Sequence, residues 1–281
     1  MMAYPHHLEL DAIISTASAL HKTGRYKDAL NTINVGLIFY PRNPHLIRIF
    51  KEIPIQYDAD FFSEAYEVSF KSAQLYFEHL SLLYNFQTII DVGAGAGAWS
   101  HAAIEAGKQP ISVDGKWVDK IEKKCDKLNY YYQDLNESLN ISIKGDLAVC
   151  VEVAEHLDPD RSHSFIEDLC SIAPVIVFGA ALPRQGGSGH INCHPHSYWI
   201  DIFKQNGYYA LDAFRSIFWY DGRVGPWYTQ NTFLFVRDEF KQKFSNIPEP
   251  SIINIYHPKI VADSPSCVQD HQNGIIDPGF K

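Results

Sequence analysis

Residues Thr88 to Ser100, reading Thr-Ile-Ile-Asp-Val-Gly-Ala-Gly-Ala-Gly-Ala-Trp-Ser, constrain the fold of this chain more than any other stretch. Thr88 to Val92 is apolar or β-branched except at Asp91, the pattern of a strand covered on both faces. Gly93, Gly95 and Gly97 then clear the turn of every side chain larger than a methyl. A ligand can approach such a backbone closely, and the chain can take positive φ there. His101 to Ala106 continues as a helix whose first N–H groups point back at the turn, and Gly107 stops it. Alone, this pattern also fits a tight strand–helix corner that holds nothing.

Three further strands decide between those readings. Gln109 to Val113 ends at Asp114, where a carboxylate can accept hydrogen bonds from a ribose diol. Leu128 to Tyr132 leads to Gln133-Asp134-Leu135, and Asp146 to Val151 ends at Glu152. In order and spacing the four segments resemble the motifs of class I S-adenosylmethionine (SAM)-dependent methyltransferases, over residues 85 to 237. The resemblance implies an α/β fold, a doubly wound, seven-stranded, mostly parallel sheet, here with an N-terminal α-helical extension. It implies SAM as cofactor, its methionine end held by Asp91, Gly93, Ala94 and Gly95 and its ribose by Asp114 and Gly115. Asp134 and Leu135 would flank the adenine, and Glu152 would close the cofactor site. Trp117 is either an adenine platform or a core residue at a helix start. The rival is a Rossmann dinucleotide enzyme, whose fuller glycine pattern tolerates Ala98; the segment from Glu152 to His156 favours the methyltransferase.

Glu152, Glu155 and His156 stand at i, i+3 and i+4, so a helix after the fourth strand would put all three on one face. Glu-x-x-Glu-His resembles the ubiquinone-pathway O-methyltransferases and the small-RNA 2′-O-methyltransferases. In those families the two Glu and the His bind a divalent ion, and a later His can complete the site. The resemblance implies a metal set of Glu152, Glu155, His156 and His190 for Mg²⁺ or another divalent cation, with His156, His190 and Glu155 as catalytic residues. Without a metal, His156 either packs or acts as a base. His190 comes from Pro-x-Gln-Gly-Gly-x-Gly-His-x-Asn followed by Tyr198-Trp199, a pattern that resembles a bacterial subgroup of these enzymes and marks His190 and Asn192. His194 and His196 are read as solvated loop residues. A zinc site from His190, Cys193, His194 and His196 is too crowded for a tetrahedron.

The 281 residues allow one large domain plus a small one. We divide them into a helical extension (1–52), a SAM-binding domain (53–237) and an extended, proline-bearing tail (238–281). Residues 10 to 43 resemble one tetratricopeptide repeat through Gly24-Arg25-Tyr26-Lys27-Asp28-Ala29-Leu30, Gly36 and Pro41. One repeat cannot bury both of its faces. It must pack on residues 44–52, on the catalytic domain, on a second copy in a homodimer, or on a protein partner. A linker around Pro54, an N-cap at Asp58 and an amphipathic helix to Tyr84 follow. Further on, the pattern predicts helices near 116–126, 160–171 and 197–206. It predicts strands at 174–178, 208–214 and 231–236, and a loop over the aromatic run 218–228.

A net charge of −9 argues against a broad phosphate-binding surface, and so against DNA as partner. The five cysteines, Cys125, Cys150, Cys170, Cys193 and Cys267, form no Cys-x-x-Cys; Cys150 and Cys170 read as core. No apolar run reaches the ~20 residues of a membrane helix, and Met1 to His7 has no signal-peptide pattern, so the expected location is cytoplasmic with no membrane partner. The function expected is SAM-dependent O-methylation of a hydroxyl on a small molecule or a glycan sugar. The alternatives are an RNA 2′-O-methyltransferase and an inactive SAM-fold adaptor whose helical repeat docks a protein.

Overall fold

The computed structural model describes residues 10–40, 42–53 and 59–262, with backbone only for 59–64 and 262. Pro41, the linker around Pro54, Asp58, Cys267 and both ends of the chain lie outside the described residues.

The chain begins with α1 (Leu10–Lys22) and α2 (Tyr26–Phe39), which pack together, followed by α3 (Pro44–Glu52). Asn43 caps α3, its side-chain oxygen accepting from His45 N at 3.0 Å and Leu46 N at 3.2 Å, and Pro44 sits where a missing N–H costs nothing. The three helices bury one common core, with Ile13, Ala17, Ile33, Leu37, Leu46, Ile49 and Phe50 at its centre. Gly36 lets them close: a Cβ there would come within 2.7 Å of Leu46 Cδ1 and 2.8 Å of Ile13 Cγ2. Gly36→Ala is therefore expected to lower the unfolding free energy by about 1–3 kcal/mol through overpacking, read as a lower urea midpoint at unchanged slope.

Helix α4 (Ala59–Leu83) covers one face of the sheet with Ala73, Tyr76, Phe77 and Leu80. There follow β1 (Thr88–Val92), α5 (Ala98–Glu105), β2 (Gln109–Asp114), β3 (Tyr130–Tyr132), β4 (Leu147–Val151), α6 (Ser162–Ile172) and β5 (Val175–Gly179). The chain then runs through α7 (His196–Gln205), β6 (Tyr208–Leu211), α8 (Arg215–Phe218), α9 (Pro226–Asn231), β7 (Phe233–Arg237) and α10 (Pro258–Ala262). The seven strands are ordered β3-β2-β1-β4-β5-β7-β6, parallel except for β7, which runs against both neighbours. The expected seven-stranded, mostly parallel sheet is present. Helices α4 and α5 enclose an apolar core on one face and α6 and α7 another on the opposite face, which is why β4 and β5 read as nearly unbroken apolar runs. The carboxyl ends of β1, β2, β4 and β5 lie along one edge, where open α/β sheets bind ligands.

Four expectations differ from what folds. The helix predicted over 116–126 is a single 3₁₀ turn, Lys116–Lys120. Val118 is its buried residue, and the chain turns extended at Ile121, which ends the turn. The strand predicted over 208–214 stops at Leu211. There the Asp212 carboxylate binds the Arg215 guanidinium at 2.7 Å and α8 begins. The aromatic run is not a plain loop, since α9 opens at Pro226. After β4 the chain does not turn α-helical; Ala154–His156 is one 3₁₀ turn.

Residues 245–257 form a strap across the end of the sheet. Pro248 O accepts from Asp212 N at 2.8 Å, Ile253 O accepts from Arg215 Nη1 at 3.0 Å, and Tyr256 donates to Pro183 O at 2.7 Å. Among the described residues no helix is long and apolar enough to cross a membrane.

Candidate active site

The glycine turn sits between β1 and α5 with Gly93 at φ 78° and Gly95 at φ 53°, both in the left-handed region. A Cβ on Gly93 would strike Val153, 2.3 Å away, whereas the space over Gly95 is open. Asp114, 4 % exposed, reaches this opening from the end of β2. Its carboxylate accepts from Gly95 N at 2.8 Å and Gly115 N at 2.6 Å, and Trp117 donates to it as well. Burial pushes the Asp114 pKa up to about 6 against the pull of those donors. Trp117 covers Gly115, its Cδ1 lying 2.5 Å from where a Cβ would stand. The indole thus braces the second strand's carboxylate.

Asp91 does something different from what its motif implies. It is buried, turned beneath the turn, and accepts from Ser100 Oγ of α5 at 2.7 Å; Ser112 Oγ of β2 donates in turn to Ser100 Oγ at 2.8 Å. Burial raises its pKa to about 7. The chain β2–α5–β1 fixes the glycine turn from below. Asp134 is exposed and caps its own turn by accepting from Asn136 N at 2.9 Å, while Leu135 is buried in the core. Tyr130, absent from the expectations, donates to Gly95 O at 2.7 Å and closes the outer side of the turn.

On the other side of the opening, the chain after β4 carries Glu152, then Glu155 and His156 on a 3₁₀ turn and not on an α-helix. Glu152 takes φ 57°, a left-handed conformation that costs energy outside glycine and marks a built corner. Its carboxylate is held by Asn231 Nδ2 at 2.7 Å and Gln185 Nε2 at 3.2 Å, and burial raises its pKa to about 7. Glu155, beside the Glu152 carboxyl, meets His156 and His190. Single ligand atoms of Glu155, His156 and His190 lie within 4.8 Å of one another. The two imidazoles meet edge to face, 4.8 Å between centroids. Glu155 is fully buried, and neither carboxylate oxygen has a hydrogen-bond partner; the Ala181 backbone and the Glu152 carboxyl lie near but off geometry. Burial, then the neighbouring Glu152 charge, pushes its pKa well above the usual carboxylate range.

His156 Nδ1 lies 3.2 Å from Gly189 O. A carbonyl only accepts, so Nδ1 carries the proton and Nε2 the lone pair. Packing lowers the His156 pKa to about 4, against the opposing pull of the hydrogen bond to Gly189 O. Burial, with His156 beside it, pushes His190 well below 6.5, and His190 Nδ1 has no partner. Both rings are neutral near pH 7.

The other marked loop residues are structural. Asn192 is buried and faces away, donating to Ala154 O at 3.1 Å and Ser162 Oγ at 3.0 Å, so it fixes the backbone that carries Glu155. His194 and His196 are buried, not solvated. His194 stacks on Tyr198 at 3.7 Å, and His196 bonds Ile253 O at 3.1 Å and Asn231 Oδ1 at 3.2 Å. Neither converges with His190 and Cys193 on a zinc set. Cys150 and Cys170 are core, and the four described cysteines are unpaired. Asn231 and Gln185 are the site residues that sequence reasoning missed. Gln185 sits inside the marked glycine loop, but nothing in the spacing signals that it reaches Glu152.

No family model matches the chain, and no curated protein matches it in sequence. Among solved structures similar to it, DesVI of Streptomyces venezuelae aligns at a TM-score of 0.50 and 12 % identity, over 65 % of this chain and 100 % of that one. The chain has the class I methyltransferase fold. Weaker likenesses include an S-adenosylmethionine-dependent methyltransferase from Clostridium acetobutylicum, at TM-score 0.47 and 11 % identity over 63 % of this chain and 98 % of that one. Another is the magnesium protoporphyrin IX methyltransferase from Synechocystis with bound SAM, at 0.45 and 16 % over 66 % and 86 %.

Proposed function

We propose that the protein is a SAM-dependent methyltransferase acting on a hydroxyl of a small molecule or a glycan sugar. The observation that carries this reading is the juxtaposition of two built features at one sheet edge. One is an open glycine turn with a buried carboxylate aimed at it. The other is a Glu–His–His cluster in which Glu155 is buried and its carboxylate and His190 Nδ1 lack partners.

SAM, when bound, supplies an electrophilic methyl on a sulfonium. Asp114 accepts the two ribose hydroxyls, and Gly93, Ala94 and Gly95 let the ligand lie against the backbone. Trp117 would flank the adenine. Glu152, clamped by Asn231 and Gln185, stands at the methionine end with a fixed carboxylate. The acceptor oxygen would receive that methyl, and the electron pair of the carbon–sulfur bond would remain with sulfur. The hydroxyl proton goes to His156 Nε2, the lone-pair nitrogen set by the Nδ1 bond to Gly189 O.

The donor set also fits a divalent cation. Glu155 would offer an unpaired carboxylate and His190 a neutral ring nitrogen, and His156 Nε2 would join them only in place of its role as base. Bound there, a cation would supply Lewis acidity that lowers the pKa of an acceptor hydroxyl. A fixed positive charge would also relieve the buried Glu155. Glu152 has its own partners in Asn231 and Gln185 and its carboxyl lies beside Glu155, so it borders both the cofactor side and the trio.

The ribose role makes binding pH-dependent. S-adenosylhomocysteine (SAH) needs Asp114 as an acceptor, and protonation below about 6 removes that. Its affinity should be level above pH 7 and fall below pH 6 by up to about tenfold per unit. Calorimetry across pH 5–8 checks this; a flat profile removes the ribose assignment. The acceptor class is tested by incubating the protein with labelled SAM and separate small-molecule, glycan and RNA fractions. Labelling of RNA, with a salt-dependent affinity, would replace this acceptor class with the RNA one.

A further inference from the structure

The N-terminal helices do not stand apart from the site. Asn34, on α2, accepts from Gly189 N through its side-chain oxygen at 3.2 Å. Phe50, on α3, fills the space beside Gly189, where a Cβ would lie 2.8 Å from Phe50 Cζ. Gly189 itself has φ 74°, so the loop needs glycine here for both backbone and contact. Two residues on, Ile191 is 2 % exposed and belongs to the same core as Ile13, Ala17, Leu46 and Phe50. Lys51 pairs with Asp158, just past His156, at 2.5 Å. The loop is thus gripped at 189 and at 191, and the residue between them is His190. Gly189 O, whose place this grip sets, is the acceptor for His156 Nδ1 and also for Ile191 N at 3.0 Å.

We propose that the N-terminal helical layer is a built-in wall of the acceptor site, with Asn34, Phe50 and Ile191 as positioning residues. By holding Gly189 and Ile191 they aim His190 at His156 and keep His156 in the tautomer protonated at Nδ1. The proposal rests on reading Glu155, His156 and His190 as the acceptor-side trio. A detached docking module would instead leave the trio unchanged when its contacts were cut.

The test uses the full chain in wild-type, Asn34→Ala, Phe50→Ala, Asn34→Asp and Phe50→Leu forms. Long-range ¹H–¹⁵N spectra of the imidazoles read the tautomer, and calorimetry reads Mn²⁺ and SAH binding. In the wild type His156 should be the single Nδ1-protonated form. Asn34→Ala and Phe50→Ala should mix the tautomers and weaken Mn²⁺ at least tenfold, with SAH affinity kept within twofold. Asn34→Asp, which retains the acceptor oxygen, should restore the wild-type spectrum. Phe50→Leu, which keeps the helical core filled, should fall between, and decides the matter if Phe50→Ala does not fold. Alanine variants with the wild-type His156 spectrum would overturn the proposal, as would equal losses of SAH and Mn²⁺ affinity. A wild type that binds neither SAH nor Mn²⁺ would sink the methyl-transfer reading instead, and the spectra would still decide this one.

Discussion

Replacing Asp114 by alanine should weaken SAH binding by about 3 kcal/mol, roughly a hundredfold, with little change in the affinity of Mn²⁺. The size follows from two charge-assisted hydrogen bonds to the ribose, each worth ~1.5–3 kcal/mol when one partner is ionised. It is enlarged because Gly95 N and Gly115 N lose the acceptor that now holds them, so the turn is no longer preorganised. Asp114→Asn separates the two contributions. It keeps one acceptor oxygen but not the charge, and should fall between wild type and alanine. Calorimetry on the three proteins measures this, and equal affinity in all of them would show that the carboxylate never meets the ligand.

The second large effect is at Glu155. Glu155→Gln keeps the volume of a fully buried side chain and removes its capacity for charge. Methyl transfer should drop on the order of a hundred- to ten-thousand-fold, the range of a positioned catalytic group. A chelator should cost the wild type about as much and the variant nothing further. Stability should move the other way. The folded-state pKa of Glu155 is raised, so the folded chain holds this proton more tightly than the unfolded chain does. Its cost is absent below the ordinary value of about 4.3 and grows as pH rises above it. Metal-free Glu155→Gln should therefore unfold at a higher temperature than metal-free wild type at pH 7, with the gap closing at pH 4. Thermal melts at the two pH values measure this. A variant less stable at pH 7 would mean that Glu155 has partners that hold it ionised. A side chain that weakens the fold while being needed for chemistry is the usual mark of a functional site.

The glycine turn, Asp114 and the central strands were legible in the sequence for one physical reason. A strand buried on both faces has to be a nearly unbroken apolar run, and a turn that receives a ligand has to lose its side chains. The hairpin of α1 and α2 was legible because Gly24 and Gly36 fall where turn and close packing require small residues. The corner at Glu152 was not, since helical spacing of Glu152, Glu155 and His156 is read without knowing that Glu152 takes positive φ. Asn231 and Gln185, which hold that corner, lie 79 and 33 residues from it in sequence. His194 and His196 look solvated in a glycine-rich loop, yet each is buried by an aromatic ring whose approach no local pattern announces. The segment after Asp114 looked helical by position in the βαβ order, but the chain turns extended at Ile121 after one 3₁₀ turn.

The account stands on a methyl leaving SAM at this edge for an oxygen. The most direct measurement is incubation of the full chain with methyl-labelled SAM and small-molecule and glycan fractions, followed by mass analysis of whatever gains the label, with Glu155→Gln as the paired control. The account predicts a labelled methyl ether formed by the wild type and lost in the variant, with SAH bound equally well by both. A label carried on nitrogen or carbon, or an equal yield from the variant, would contradict it.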